Sequence, residues 1–370
     1  MFSPLALLLS SLAALAGTLT VDVLDVGQGD AILLRSPAGK TVLIDAGTGK
    51  RDVVPMLRAR GLEKLDLAIA THAHADHIGG MDEVLAAVPP RVYVDQGMPH
   101  TTATYNKVMD LVESSGAGYK PGTRGVVFNL DDGIQLELLG PMEPRLRGTR
   151  SDLNSNSVVV RVTKGERCML FTGDAEEPTE QMLIQKGLEP CDVLKVAHHG
   201  SGHSSTQRFL DAVQPEVAII SCGKDNKYKH PYPETLERLA RVGAKVYRTD
   251  LQGTVRVTTD GKSLDVTVLG PEQDAGGNAS AAPDVPQPAS DESAPAVAAG
   301  TRLDLNSATA AQLDALPGIG PSKATAIIRW RESHGPFTSI EQLDDVPGIG
   351  PATLAGLRDR VSLSPEGGSR

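Results

Sequence analysis

A chain of 370 residues is long enough for about two domains with a full hydrophobic core. Its net charge of −10 excludes a general electrostatic grip on nucleic acid, so any such contact must be local. Aromatics at 3% argue against rows of base-stacking side chains, and three cysteines without paired spacing, Cys168, Cys191 and Cys222, read as small buried hydrophobes rather than disulfide partners or metal ligands.

Residues 1–16 are apolar with a few serines, and Ala14-Leu15-Ala16 is a small-x-small cleavage pattern. That is the composition of a secretory signal peptide, too short for a membrane span. The expected location is extracellular or within the cell envelope, with no stable membrane span after processing. A cytoplasmic enzyme with an apolar first strand is the alternative.

From residue 19 strands and helices alternate. Thr20–Val26 and Ala31–Leu34 read as strands around the turn Gly27-Gln28-Gly29-Asp30, and Thr41–Ile44 as a third strand ending in Asp45. Val53–Arg60 reads as a helix, Leu65–Ala70 as a buried strand, and Met81–Val88 as a helix stopped by Pro89-Pro90. Further strands are read at 92–94, 126–130, 134–139, 157–162, 168–171, 192–197 and 217–220, with a helix at 105–115. An α/β layered domain over 19–270 follows.

The polar groups sit where these strands run out: Asp30, Asp45, the segment His72-Ala73-His74-Ala75-Asp76-His77, Asp174, His198-His199 and His230. Three of the chain's nine histidines fall within 72–77, beside an aspartate. Side chains alternate along an extended segment, so His72, His74 and Asp76 are expected to point one way. Imidazole and carboxylate together suit divalent metals.

Residues 271–300 change to Pro, Ala, Ser and Gly with acidic residues, a composition expected of a disordered linker. Beyond it the chain repeats: Gln312-Leu313-Asp314-Ala315-Leu316-Pro317-Gly318-Ile319-Gly320-Pro321 recurs as Gln342-Leu343-Asp344-Asp345-Val346-Pro347-Gly348-Ile349-Gly350-Pro351. Two Pro-Gly-Ile-Gly turns between helical runs are the pattern of a tandem helix-hairpin-helix domain over 301–363, a small all-α unit. Backbone amides at a helix start suit phosphate. Gly318, Ile319, Gly320, Lys323, Gly348, Ile349 and Gly350 are therefore the candidate contacts to DNA. Such contacts position the protein without reading sequence.

These motifs resemble the metallo-β-lactamase-fold hydrolase domain of ComEC-type competence proteins, through Asp25-Val26-Gly27-Gln28-Gly29-Asp30, the histidine motif, Asn154-x-Asn156-Ser157, Thr172-Gly173-Asp174, His198-His199-Gly200-Ser201 and Lys229-His230-Pro231. The tail is similar to ComEA-type DNA receptors. The multi-span channel of the ComEC family is absent from the sequence. The resemblance implies an αβ/βα sandwich and two divalent ions, zinc or manganese. His72 and His74 would hold one ion. Asp76, His77 and one histidine of the 198–199 pair, assigned as His198, would hold the other, and Asp174 would bridge. Asn154 and Asn156 stand where a third histidine is expected, with Asn156 assigned as the ligand, a harder donor that favours manganese. Asp76, His199 and His230 are the expected catalytic groups. The implied activity is an exported, sequence-tolerant DNA phosphodiesterase associated with DNA-uptake machinery. A non-catalytic DNA receptor and a small-molecule phosphoester or lactam hydrolase are the alternatives.

Overall fold

Thr41-Val42-Leu43-Ile44 shows how the chain builds its layers. Val42 and Ile44 enter a core between two sheets, while Leu43 enters a second core under helices on the other face. A strand buried on both sides needs a continuous apolar run, which is why no polar alternation marks it in the sequence. The computed structural model describes residues 17–50, 53–270 and, with gaps, 303–363. The expected signal peptide at 1–16 and the expected linker at 271–300 lie outside the described residues. The chain divides into two compact units between Asp284 and Val285, each described by itself.

Among its described residues the first unit holds fifteen strands: β1 (Leu19–Val23), β2 (Ile32–Arg35), β3 (Thr41–Ile44), β4 (Leu65–Ile69), β5 (Pro90–Asp95), β6 (Gly118–Pro121), β7 (Val127–Asn129), β8 (Gln135–Gly140), β9 (Val159–Lys164), β10 (Arg167–Phe171), β11 (Val193–Lys195), β12 (Val217–Ile220), β13 (Lys245–Arg248), β14 (Thr254–Thr259) and β15 (Leu264–Leu269). They form one sheet in the order β15-β14-β1-β2-β3-β4-β5-β6 and a second in the order β13-β12-β11-β10-β9-β8-β7. The inner faces share a core that includes Val21, Ile32, Ile69, Val160, Phe171 and Ile219. Each fully buried aliphatic contributes about 1.5–3 kcal/mol, so this core dominates the stability. Helices 53–59, 81–87 and 103–115 cover the first sheet, and helices 177–185, 207–213 and 233–241 cover the second. The αβ/βα sandwich is thus as expected.

Strands β3 to β6 are parallel, and so are β10 to β13. Parallel strands deliver successive C-terminal ends to one edge. Hydrogen bonds tie the two edges together. Val158 N donates to Thr71 O over 2.8 Å, and Ser221 Oγ to Gly29 O over 2.7 Å.

Two expectations are corrected here. Cys168 and Cys191 form a disulfide, with Cα atoms 4.9 Å apart. Cys168 is the second residue of β10 and Cys191 leads into its parallel neighbour β11, so partners 23 positions apart in sequence meet across the sheet. Only Cys222 is a free, buried cysteine. The histidine motif is also not extended. Ala75–Ile78 is a short helix, so Asp76 and His77 leave a helical turn and Asp76 no longer shares the direction of His72 and His74.

In the second unit, helix Pro321–His334 and the 3₁₀ segment Ile340–Asp345 surround Leu305, Leu313, Ile327, Leu343 and Leu357. Two short strands, Leu303–Asp304 and Val361–Ser362, pair in parallel, a clasp that the expected all-α unit did not include. Trp330 stacks on Phe337 at 4.4 Å. No helix among the described residues is long and apolar enough to cross a membrane.

Candidate metal centre

Asp174 leaves the loop after β10, and its two carboxylate oxygens face different groups. Oδ1 lies 3.1 Å from His77 Nε2 and 3.6 Å from His199 Nε2. Oδ2 lies 3.8 Å from His72 Nε2 and 3.6 Å from His198 Nε2. Asp76 Oδ2 sits 3.4 Å from His199 Nε2, and one donor atom each from Asp76, His77, Asp174 and His199 falls within 4.8 Å of the others. His74 Nδ1 faces His72 Nε2 at 3.0 Å. One carboxylate therefore stands between two histidine clusters.

The outer partners fix which imidazole nitrogen points inward. His77 Nδ1 lies 2.8 Å from Asp45 Oδ2, and His199 Nδ1 lies 2.9 Å from Ser221 O. Neither oxygen can donate, so each Nδ1 carries the proton and Nε2 is left to the centre. Asp45 is itself held by Thr71, whose N and Oγ1 both donate to it over 2.7 Å. Beneath His199, the buried ammonium of Lys195 pairs with Asp30, and Asp30 Oδ1 lies 3.3 Å from His199 Nδ1.

The electrostatics match a cation site. Burial disfavours charge on His77 and His199, yet the adjacent carboxylates outweigh it. Asp174 and Asp45 raise His77 well above its ordinary value, and Asp174 and Asp30 push His199 up to about 9. Against the cost of burial, His77, His198 and His199 hold Asp174 well below the usual carboxylate range. Without metal, two imidazolium protons fill the role of the cation. Nε2 of His77, Oδ1 of Asp174 and Nε2 of His199 are buried, and although they lie 3.1–3.6 Å apart none makes a well-directed hydrogen bond among the described residues. Orphaned buried polar atoms that converge are what a bound cation would satisfy, so these residues fit divalent metal.

The structure rearranges three sequence expectations. His199, assigned to catalysis, joins Asp76 and His77, while His198, assigned to that cluster, faces Asp174 Oδ2 instead. Both have left-handed backbones, with φ of 51° and 54°, which breaks the alternation a strand would impose. Asn156 is turned away from the centre. Its Oδ1 accepts from Leu146 N, and its Nδ2 donates to Leu146 O and Asp152 O, so it fastens a loop and is no ligand. Asn154 instead offers a buried Oδ1 without a partner, and its Nδ2 lies 3.5 Å from His198 Nδ1. Sequence reasoning also missed Glu176, buried beside Asn154 and Arg150 and 3.7 Å from His198 Nδ1. Its place two residues after Asp174 was the available signal.

His230 stands at the mouth, 5.7 Å ring to ring from His198 and 6.2 Å from His199. Burial, reinforced by those two neighbours, holds it down to about 3, so it stays neutral and suits hydrogen bonding better than proton donation. His100 stays outside the centre, bonded to Thr102.

In the second unit Gly318, Gly320, Gly348 and Gly350 lie outside the described residues. Ile319 and Ile349 are buried in its core, and their amides donate to Leu316 O and Val346 O. Side chain and N–H are both engaged within the unit, so these two isoleucines anchor the turns. Lys323 is half-buried, with Nζ 3.4 Å from Thr353 Oγ1.

Comparison with known proteins agrees with this geometry. Residues 24–224 match the metallo-beta-lactamase superfamily, and residues 298–362 match the helix-hairpin-helix motif. ComE operon protein 3 of Bacillus subtilis is 33% identical over 64% of this chain and 32% of its own length. Recombination protein 2 of Haemophilus influenzae is 36% identical over 65% of this chain and 29% of its own. In the tail, ComE operon protein 1 of Bacillus subtilis is 48% identical over 11% of this chain and 20% of its own. The chain spans about a third of the length of the relatives that match its first unit.

Proposed function

From its membership of the metallo-β-lactamase superfamily, joined to a helix-hairpin-helix motif, we propose that this chain is a DNA phosphodiesterase that holds DNA through its tail. The observation that carries this reading is Asp174, one oxygen turned to His77 and His199 and the other to His72 and His198. Asp76, His77, His199 and Asp174 would hold one divalent ion, and His72, His74 and Asp174 the other, with the Asn154 amide oxygen in reach of that side. Zinc or manganese in such a pair supplies Lewis acidity and an activated water for in-line attack on phosphorus. The chain's own groups do the rest. Asp45 and Ser221 O lock the imidazoles in one tautomer. Asp76, 26% exposed at its side chain, can orient a nucleophile at the solvent side. Neutral His230 at the mouth can hydrogen-bond a phosphoryl or leaving oxygen.

The fold hosts many hydrolases and does not choose the substrate. The tail does, since a tethered DNA-binding module raises the local concentration of phosphodiesters at the centre. Two relatives are named for the ComE operon, which supports a place in DNA uptake at the cell envelope. The Cys168–Cys191 disulfide supports an oxidising compartment, in keeping with export.

The test is incubation of circular and linear DNA with the full chain and added manganese or zinc. We expect metal-dependent cleavage that falls at least about a hundredfold in Asp174→Asn, the scale on which centres lose activity when an electrostatic group is removed. Cleavage that survives this change sinks the mechanism. DNA binding without cleavage would leave a receptor, and turnover of a β-lactam or small phosphoester alone would make it a different hydrolase.

A further inference from the structure

We propose that the loop Lys224–His230 is a binding site for an unpaired nucleobase and its neighbouring phosphates, so that the strand presented to the metal centre is single. This rests on the nuclease reading and names its substrate class. The loop follows β12, whose end lies beside the centre. It is pinned at both ends: Gly223 N donates to Gln28 Oε1, and Asn226 Nδ2 donates to Gly223 O and to His230 O. Tyr228, within it, is 45% exposed; Tyr119 is exposed to the same degree, but Tyr228 is the one whose ring stacks toward the centre. One face of that ring stacks on His230 at 5.7 Å and 22°, and His230 lies 5.7 Å from His198. A line of rings thus runs from solvent to the groups around Asp174.

Charge points to the same ligand. Lys224, Lys227 and Lys229 are all exposed, with Asp225 the only acid among them, in a protein of net charge −10. Lys227 Nζ lies 4.9 Å from the Tyr228 ring centroid. A base stacking on that ring would displace it, and its stem is long enough to swing to a phosphate. In a duplex each base is already covered by its neighbours. Away from duplex ends, only an unpaired base can offer its face to a protein ring. Composition excludes a row of such rings, but a single one at the mouth is enough to align one nucleotide.

The full chain, loaded with manganese, would be titrated with a single-stranded tetranucleotide carrying phosphorothioate linkages and one 2-aminopurine, whose fluorescence reports stacking. We expect saturable quenching, with affinity about tenfold weaker in Tyr228→Ala and preserved in Tyr228→Phe. Equal affinity in the alanine variant, equal weakening in both variants, or equally strong Tyr228-dependent binding of a duplex overturns the site. Cleavage of the unmodified strand by the wild-type chain is scored separately. Tyr228-dependent quenching without cleavage keeps the site and sinks the nuclease, whereas cleavage without it sinks this inference alone.

Discussion

The ion pair beneath His199 gives a test of how the centre is supported. Lys195 and Asp30 are buried to within 1% of full burial, and Asp30 also reaches His199 Nδ1. Replacing Lys195 with methionine keeps most of the apolar stem, one atom shorter, but leaves Asp30 charged and buried, with His199 and His77 as its cationic neighbours. Removing one partner of a buried pair costs about 3–5 kcal/mol. His199 offsets part of it, so the lower end, about 3 kcal/mol, is the expectation. In a unit of roughly 250 residues that lowers the melting temperature by about 6–12 °C. Urea denaturation of the metal-free chain measures it, and Asp30→Asn in the same background supplies the control. With both charges gone, at least half of the loss should return. A loss under about 1 kcal/mol, or a double variant no more stable than the single one, refutes the pairing argument.

Raised values at His77 and His199 mean that the folded, metal-free chain binds protons the unfolded chain releases. The stability they give is complete below about 6.5, the ordinary histidine value, and is lost as pH rises through about 9. Melting with a chelator should therefore fall between pH 6.5 and 9, and added manganese should rescue most at the alkaline end; a flat chelator curve contradicts this. The Cys168–Cys191 bond joins positions 23 apart, so its loss in the paired serine variant should cost about 3 kcal/mol. An unchanged urea midpoint would show that the bond does not form. At Gly29, φ is +138° and an added Cβ would fall 2.2 Å from Asp76 O. Gly29→Ala should cost about 1–3 kcal/mol and weaken metal retention, measured by metal analysis after dialysis; retention equal to the wild type would count against the link between this turn and the metal motif.

The sequence by itself determined the layers and the edge. Runs such as Val42-Leu43-Ile44 are apolar throughout because both faces are buried, and a polar cluster closing each run is visible without coordinates. The repeat of Leu316-Pro317-Gly318-Ile319 as Val346-Pro347-Gly348-Ile349 likewise marked the tail. Only the tertiary structure decided which atoms meet. The placement of His199 rather than His198 beside Asp76 and His77 follows from two left-handed residues, a backbone state that no strand pattern encodes. Asn156 turned inward to its own loop, and Cys168 found Cys191 across parallel neighbours, because side-chain partners are set by packing between strands far apart in the chain. Tyr228 carries the same lesson at the surface. A count of aromatics averages over the molecule, whereas recognition depends on where one ring stands.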